Sequence, residues 1–275
     1  PTAILGFDVE THDWIEAKRV SHTGDFHWFT RSNPAVIKTS RIVELGWVFA
    51  EPGAWPAGPE STFGASLTKK TKRVIPNGWT VSQKAYAFHK ISTENAQKGD
   101  SLEAILNEFL TDVRSICGQG GRICAHNFEF DAGIIWEELR RCGSEDLQNE
   151  WFETARTKGY CTMNPEAGRW IWQCMGREVG ATDSKWTKGL QLLLKLLAPD
   201  RGDLFDNHCH KAVVDAEGTR LLYMTLLDHA RKSDDDTQPY NPEAVCLTDS
   251  VVETTPSSPK TARKQWELRF AKTLP

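Results

Sequence analysis

Apolar and polar positions divide this chain into short apolar runs followed by longer amphipathic ones. AILGFDV, residues 3–9, is short and almost wholly apolar, the pattern of a buried central strand. RIVELGWVFA at 41–50 predicts a second strand, and STFGASL at 61–67 a third, shorter one. Residues 12–40 are polar, basic and aromatic without a period, and they read as an irregular insertion after the first strand. EPGAWPAGPE (51–60) is dense in Pro and Gly and predicts a loop. KKTKRVIPNG (69–78) predicts a basic loop leading to a short helix at SQKAYAFHK (82–90).

Downstream the helical period takes over. SLEAILNEFLTDVRSIC places Leu102, Ile105, Leu106, Phe109, Leu110 and Val113 on one stripe, with Asp100 or Ser101 as its cap. GQGG breaks the chain. RICAH (122–126) then predicts a strand, and NFEFDAGIIWEELRRCG a helix closing at Gly143. Further helices are expected at 146–156, 187–197 and 210–230. Strands followed by alternating helices and strands define an α/β domain. From 233 the chain turns to Asp, Pro, Ser and Thr, so 1–232 reads as the domain and 233–275 as a linker or extension. KTARKQWELRFAK within that extension suits a short basic helix.

Composition narrows the class. LQLLLKLL, the longest apolar candidate, is broken by Lys195 and is too short for a membrane span, so no membrane association is expected. The chain opens on PTAILGFD, already strand-like, and no signal or transit peptide is expected ahead of it. Seven cysteines are scattered with no CxxC pair, which points to reduced thiols in an intracellular compartment, cytoplasmic or nuclear. The net charge of −4 argues against a uniformly basic nucleic-acid binder. A polyanion would need a local basic face or bound cations.

Candidate chemistry begins at Asp8 and Glu10, two apart on the first strand and therefore on one face. Paired carboxylates there suit a hard divalent cation, or simply a solvated strand end. Asp131 falls in the first turns of the helix after RICAH, where ligand sites of α/β sheets gather, and where helix dipoles also favour acids. NHCHKAVVDAEGT (207–219) carries His210 and Asp215. Five residues on a helix turn about 140° around the axis, so these two converge only if His210 precedes the helix. As a compact cluster, His208, Cys209 and His210 also admit a zinc reading.

The contexts FDVET, AHNFEFD and HKAVVD, in this order, resemble the DEDDh (DnaQ-like) 3′–5′ exonuclease family. RIVELGWV resembles that family's second strand, and IPNGWTVSQKAYAFHKIS its connection toward the second motif. DSLEAILNEFLTDV and WTKGLQLLLKLL resemble the helices before its second and third motifs, so the likeness spans most of 3–230. It implies a ribonuclease H-like fold, a mixed five-stranded central sheet flanked by helices. It also implies two divalent cations, Mg²⁺ or Mn²⁺, held by Asp8, Glu10, Asp131 and Asp215. His210 would be the general base, and nucleoside 5′-monophosphates would leave the 3′ ends of single-stranded DNA or RNA. Homodimers occur in the family. Thr11, His12, Trp14, Asn127 and Phe130 are the candidate substrate contacts.

The chain departs from the family pattern in its 12–40 insertion, expected as a flap at the mouth of the site. Its aromatics Trp14, Phe26, Trp28 and Phe29 suit either base stacking or packing on the sheet edge. Its histidines, with His12, His22 and His27, match no common zinc-finger spacing. Lys69, Lys70, Lys72 and Arg73 are candidates for a basic rim or for a solvated loop. Two other classes stay open: a nucleic-acid-binding scaffold without turnover, and a zinc-structured interaction protein.

Overall fold

The central strand β1 (Ile4–Thr11) is the third of five in a mixed sheet. The computed structural model describes residues 3–13, 39–50, 67–163, 190, 193–194 and 210–232. On one side β1 pairs antiparallel with β2 (Ile42–Ala50), which pairs antiparallel with β3 (Leu67–Arg73). On the other side it pairs parallel with β4 (Arg122–Ala125), and β4 pairs parallel with β5 (Gly159–Cys161). The helices are α1 (Gln83–His89), α2 (Thr93–Ala96), α3 (Leu102–Gly118), α4 (Phe128–Arg141), α5 (Glu145–Lys158) and α6 (Ala212–Lys232). This is the expected mixed five-stranded α/β sheet flanked by helices. Among the described residues, no helix is long and apolar enough to cross a membrane.

The two faces of β1 have different work. Leu5, Phe7 and Val9 enter a core with Leu45, Trp47 and Phe49 of β2 and the apolar stripes of α3, α4 and α5. At its centre the Phe7 ring meets Phe109, Phe128 and Trp151 at 5.4–5.8 Å, tilted or edge-on. The even positions face α6. Ile4 joins Cys124 and Tyr160 under Leu222, Tyr223 and Leu226, with Leu190, Leu193 and Leu194 beside them. Asp8 and Glu10 lie further along the same face.

Two glycines let α6 lie close on the sheet. A methyl group on Gly46 would overlap the backbone of Ala212 and Val213, and one on Gly6 would overlap the carbonyl of Ala216. Arg220 fastens the helix from its buried side by donating from Nε to the Ile4 carbonyl at 3.3 Å. Gly46→Val is therefore expected to cost about 1–3 kcal/mol by overpacking, seen as a drop of several degrees in Tm. An unchanged Tm would show that the start of α6 is not seated on the sheet at this point.

The third described strand is Leu67–Arg73, and of the expected 61–67 only Leu67 is described. KKTKR is thus a strand and not a loop. Its charge hid it, and the structure shows why that charge is tolerated. Among the described residues β3 is an edge strand, where lysines protect an open ladder. Lys70 bonds Asp112 at 2.7 Å with its ammonium over the Trp47 ring, and Lys72 reaches Glu108 at 3.3 Å. Lys69 pairs with Glu217 and Arg73 with Glu44. All four cations suggested for a basic rim therefore pair with carboxylates of their own chain. The patterns of β5 and α2 were too short to predict. Of the 187–197 helix only Leu190, Leu193 and Leu194 are described, and 14–38 and 233–275 lie outside the described residues.

Candidate active site

The site forms where β1 outruns its parallel neighbour. The β1–β4 pairing reaches Gly6 and Cys124 and goes no further, which frees the β4 side of β1 beyond that point. The chain turns at Asn127, which takes a left-handed conformation (φ 72°), and enters α4. The first turn of α4 then brings Asp131 back to the strand. Its Oδ1 accepts the Val9 backbone N–H at 3.0 Å, satisfying a buried donor that β4 is too short to reach. Asp131 is only 2% exposed and stands beside Asp8 and Glu10 as a result.

α6 supplies the other half. It begins at Ala212, so His210 stands ahead of the helix with φ 60°, and its backbone N–H donates to Asp215 Oδ2 at 2.9 Å. The carboxylate thus reaches back over its own helix start to a backbone N–H just ahead of it. This loop brings together two residues that a regular helix would turn apart. Ligand atoms of Glu10, His210 and Asp215 lie within 4.8 Å of one another.

Burial, and at three of them the charge of neighbouring acids, raises the carboxyls of Asp8, Glu10, Asp131 and Asp215. Burial comes first at Asp8, followed by the charges of Asp131, Asp215, Glu10 and Glu44, and together they hold it well above the usual carboxylate range. Glu10 is pushed up to about 8 by burial, then by Asp215 and Glu44. Asp215 is raised to about 6 by burial, against the opposing hydrogen bond from His210. Asp131 is raised by burial in spite of the Val9 hydrogen bond. Burial lowers the His210 imidazole below its ordinary value, which favours its neutral form. A set of buried carboxylates with one imidazole, in which Asp8, Glu10 and Asp131 are further raised by neighbouring acids, fits a hard divalent cation, which would offset the repulsion.

Two further groups belong to this surface, and sequence reasoning missed both. Glu44 of β2 stands directly across the ladder from Glu10, is 4% exposed, and accepts from Arg73 Nε at 3.1 Å. The available signal was that it is the sole ionisable residue in the apolar run IVELGWVFA. Phe88, at the end of α1, is 39% exposed with its ring edge-on to His210 at 5.5 Å.

The suggested substrate contacts divide. Thr11 follows Glu10, and its hydroxyl donates to the Asp13 carbonyl at 3.0 Å. The His12 ring is engaged within the fold, with Nδ1 accepting the Arg41 N–H at 3.1 Å and its edge against Trp79. Asn127 is half-buried at the α4 start, and Phe130 is partly buried against the main core. Trp14 lies outside the described residues, as do His208 and Cys209 of the zinc reading.

The five-stranded sheet and its flanking helices form a ribonuclease H-like fold. Solved structures of exonuclease I share it. A zinc-bound complex of the Escherichia coli enzyme with single-stranded DNA superposes with a TM-score of 0.56 at 12% identity, covering 84% of this chain and 41% of that one. The same enzyme with a dA16 oligonucleotide gives 0.53 at 12% identity over 82% of this chain and 41% of that one. Exonuclease I from Methylocaldum szegediense gives 0.52 at 13% identity over 84% and 42%. This chain thus spans about two fifths of the length of those proteins. No protein-family profile matches it, and no curated protein matches it by sequence.

Proposed function

We propose that this chain is a metal-dependent 3′–5′ exonuclease that removes nucleoside 5′-monophosphates from the 3′ ends of single-stranded DNA or RNA. The observation that carries the reading is the convergence of Asp8, Glu10, Asp131 and Asp215 on one face of β1, with His210 at the start of α6 beside them. Exonuclease I structures of the same fold contain single-stranded oligonucleotides, which supports a strand as the ligand.

Asp8, Glu10, Asp131 and Asp215 would hold the divalent ions, Mg²⁺ or Mn²⁺. When bound, such ions stabilise charge on a phosphodiester and favour deprotonation of water. His210 takes the proton of the attacking water as its oxygen closes on phosphorus. The bond to the 3′ oxygen of the preceding nucleotide breaks, which leaves a 3′-hydroxyl on the shortened strand. The lowered basicity of His210 keeps it neutral and able to accept near pH 7. Asp215 accepts the His210 backbone N–H and so sets where the imidazole stands. Phe88, exposed next to His210, offers a ring for the terminal base. Thr11, next to Glu10, and Asn127, at the start of α4, are the further contacts proposed for the strand.

The test is a time course on single- and double-stranded DNA and RNA labelled at the 5′ end. Single strands with a 3′-hydroxyl should shorten stepwise with Mg²⁺ or Mn²⁺ and stop shortening in EDTA. Strands that are bound tightly but left intact with every metal would indicate a binding module instead. His210→Ala is expected to slow turnover by about 10²–10⁴-fold, the scale of lost acid–base catalysis. Turnover at the wild-type rate would remove His210 from the chemistry.

A further inference from the structure

We infer that His89 is a positioning residue that holds the far end of β1, and with it Glu10, in place beside His210. The inference rests on the exonuclease reading for its catalytic consequence.

The β1–β2 ladder is irregular at this point. Glu10 stands opposite Glu44, but Thr11 stands opposite Ile42, so Val43 is left without a counterpart and the register shifts between Glu10 and Thr11. Bulges of this kind re-aim the side chains next to them and interrupt the ladder's own hydrogen bonds. The Thr11 carbonyl is taken up from outside the sheet, by His89 Nε2 at 3.2 Å.

The protonation state of that ring follows from its partners. His89 is 5% exposed, and its Nδ1 accepts the Ile91 backbone N–H at 3.0 Å. A backbone N–H can only donate, so Nδ1 carries no proton and Nε2 carries the one that meets Thr11. Both ring nitrogens are therefore committed, one to the loop after α1 and one to β1.

α1 is anchored at its other end too. Ser82, its cap, accepts the Ala85 N–H at 3.1 Å and donates its own N–H to the His12 carbonyl at 2.8 Å. The helix is thus tied to two consecutive carbonyls, Thr11 and His12, directly after Glu10. Its Phe88 lies edge-on to His210. One short helix braces the strand that carries Glu10 and touches the residue that stands ahead of α6. Outer hydrogen bonds of this kind tune metal ligands and acid–base groups.

Two substitutions separate the two ring nitrogens. His89→Gln keeps an amide donor at about the reach of Nε2 and loses the Nδ1 acceptor. His89→Asn keeps an acceptor near Ile91 and cannot reach Thr11. With a 5′-labelled single strand, His89→Asn is expected to lower kcat by about 10–100-fold, with KM within about threefold of wild type. Its Mn²⁺ affinity, measured by calorimetry, should fall about tenfold. His89→Gln should restore both. Equal kcat and Mn²⁺ affinity in the two variants, or a change in Tm alone, would overturn the inference. If the wild type trims no strand, the exonuclease reading fails and Mn²⁺ affinity decides by itself. Weakening by Asn with recovery by Gln retains the positioning role, and equal affinities remove it.

Discussion

Asp8→Asn is expected to abolish strand trimming and, in the same molecule, to raise the melting temperature of the metal-free protein. Asp8 sits on the face of β1 that α6 covers, opposite Gly46, and four carboxylates bear on it: Asp131, Asp215, Glu10 and Glu44. Removing its charge withdraws the acid that interacts with every other acid of the cluster. Charge stabilisation by bound metal is worth several kcal/mol in a phosphoryl transition state, so the loss should be about 10³-fold or more. In EDTA the same change removes the cost of burying an acid, and then of holding it among like charges, and a gain of about 1–2 kcal/mol corresponds to several degrees in Tm. Calorimetry in EDTA and a gel time course in Mg²⁺ read the two effects separately. Trimming within tenfold of wild type would move the reaction centre away from this cluster. An unchanged or lowered Tm in EDTA would show that burying this acid among the others does not destabilise the metal-free fold.

The second large effect is on stability against pH. Metal-free protein is expected to lose stability from about pH 5 to pH 9, and divalent cation should abolish that loss. In the folded state Glu10 titrates at about 8 and Asp215 at about 6, whereas exposed acids of the unfolded chain titrate near 4. Between those limits the folded state holds protons that the unfolded chain has released. Stability is then fully present below the unfolded values and declines as pH rises through the folded ones. The total is on the order of a few kcal/mol, or roughly 5–10 °C in Tm. A divalent ion takes the place of those protons and binds better as they leave. Tm measured in EDTA and in Mn²⁺ across this range tests it, with Glu10→Gln as the control that should flatten the EDTA curve. A wild-type curve in EDTA that is flat or climbs toward pH 9 would contradict the electrostatic account of the site.

Much of the framework was legible because it is written in local periods. The stripe from Leu102 to Val113 forecast α3, and the alternation along β1 set Asp8 and Glu10 on one face. The apolar run at 41–50 forecast β2. β3 was misread because its charged residues are held by groups remote in the chain, such as Lys70 by the Trp47 and Phe49 rings and by Asp112. Glu44 was missed for a related reason. Nothing near it in the chain reveals that Glu10 stands opposite, since cross-strand register is a long-range property.

By itself the sequence determined the α/β class, the longer elements, and which acids and histidine share motif contexts. Only the tertiary structure decided how they meet. The short β4 leaves the Val9 N–H for Asp131 to accept. Gly6 and Gly46 let α6 down onto the sheet. A left-handed His210 precedes the helix and donates to Asp215. His89 closes the bulge after Glu10. Each depends on groups far apart in the chain coming within a few ångströms, and local hydrophobic periodicity carries no information about such distances.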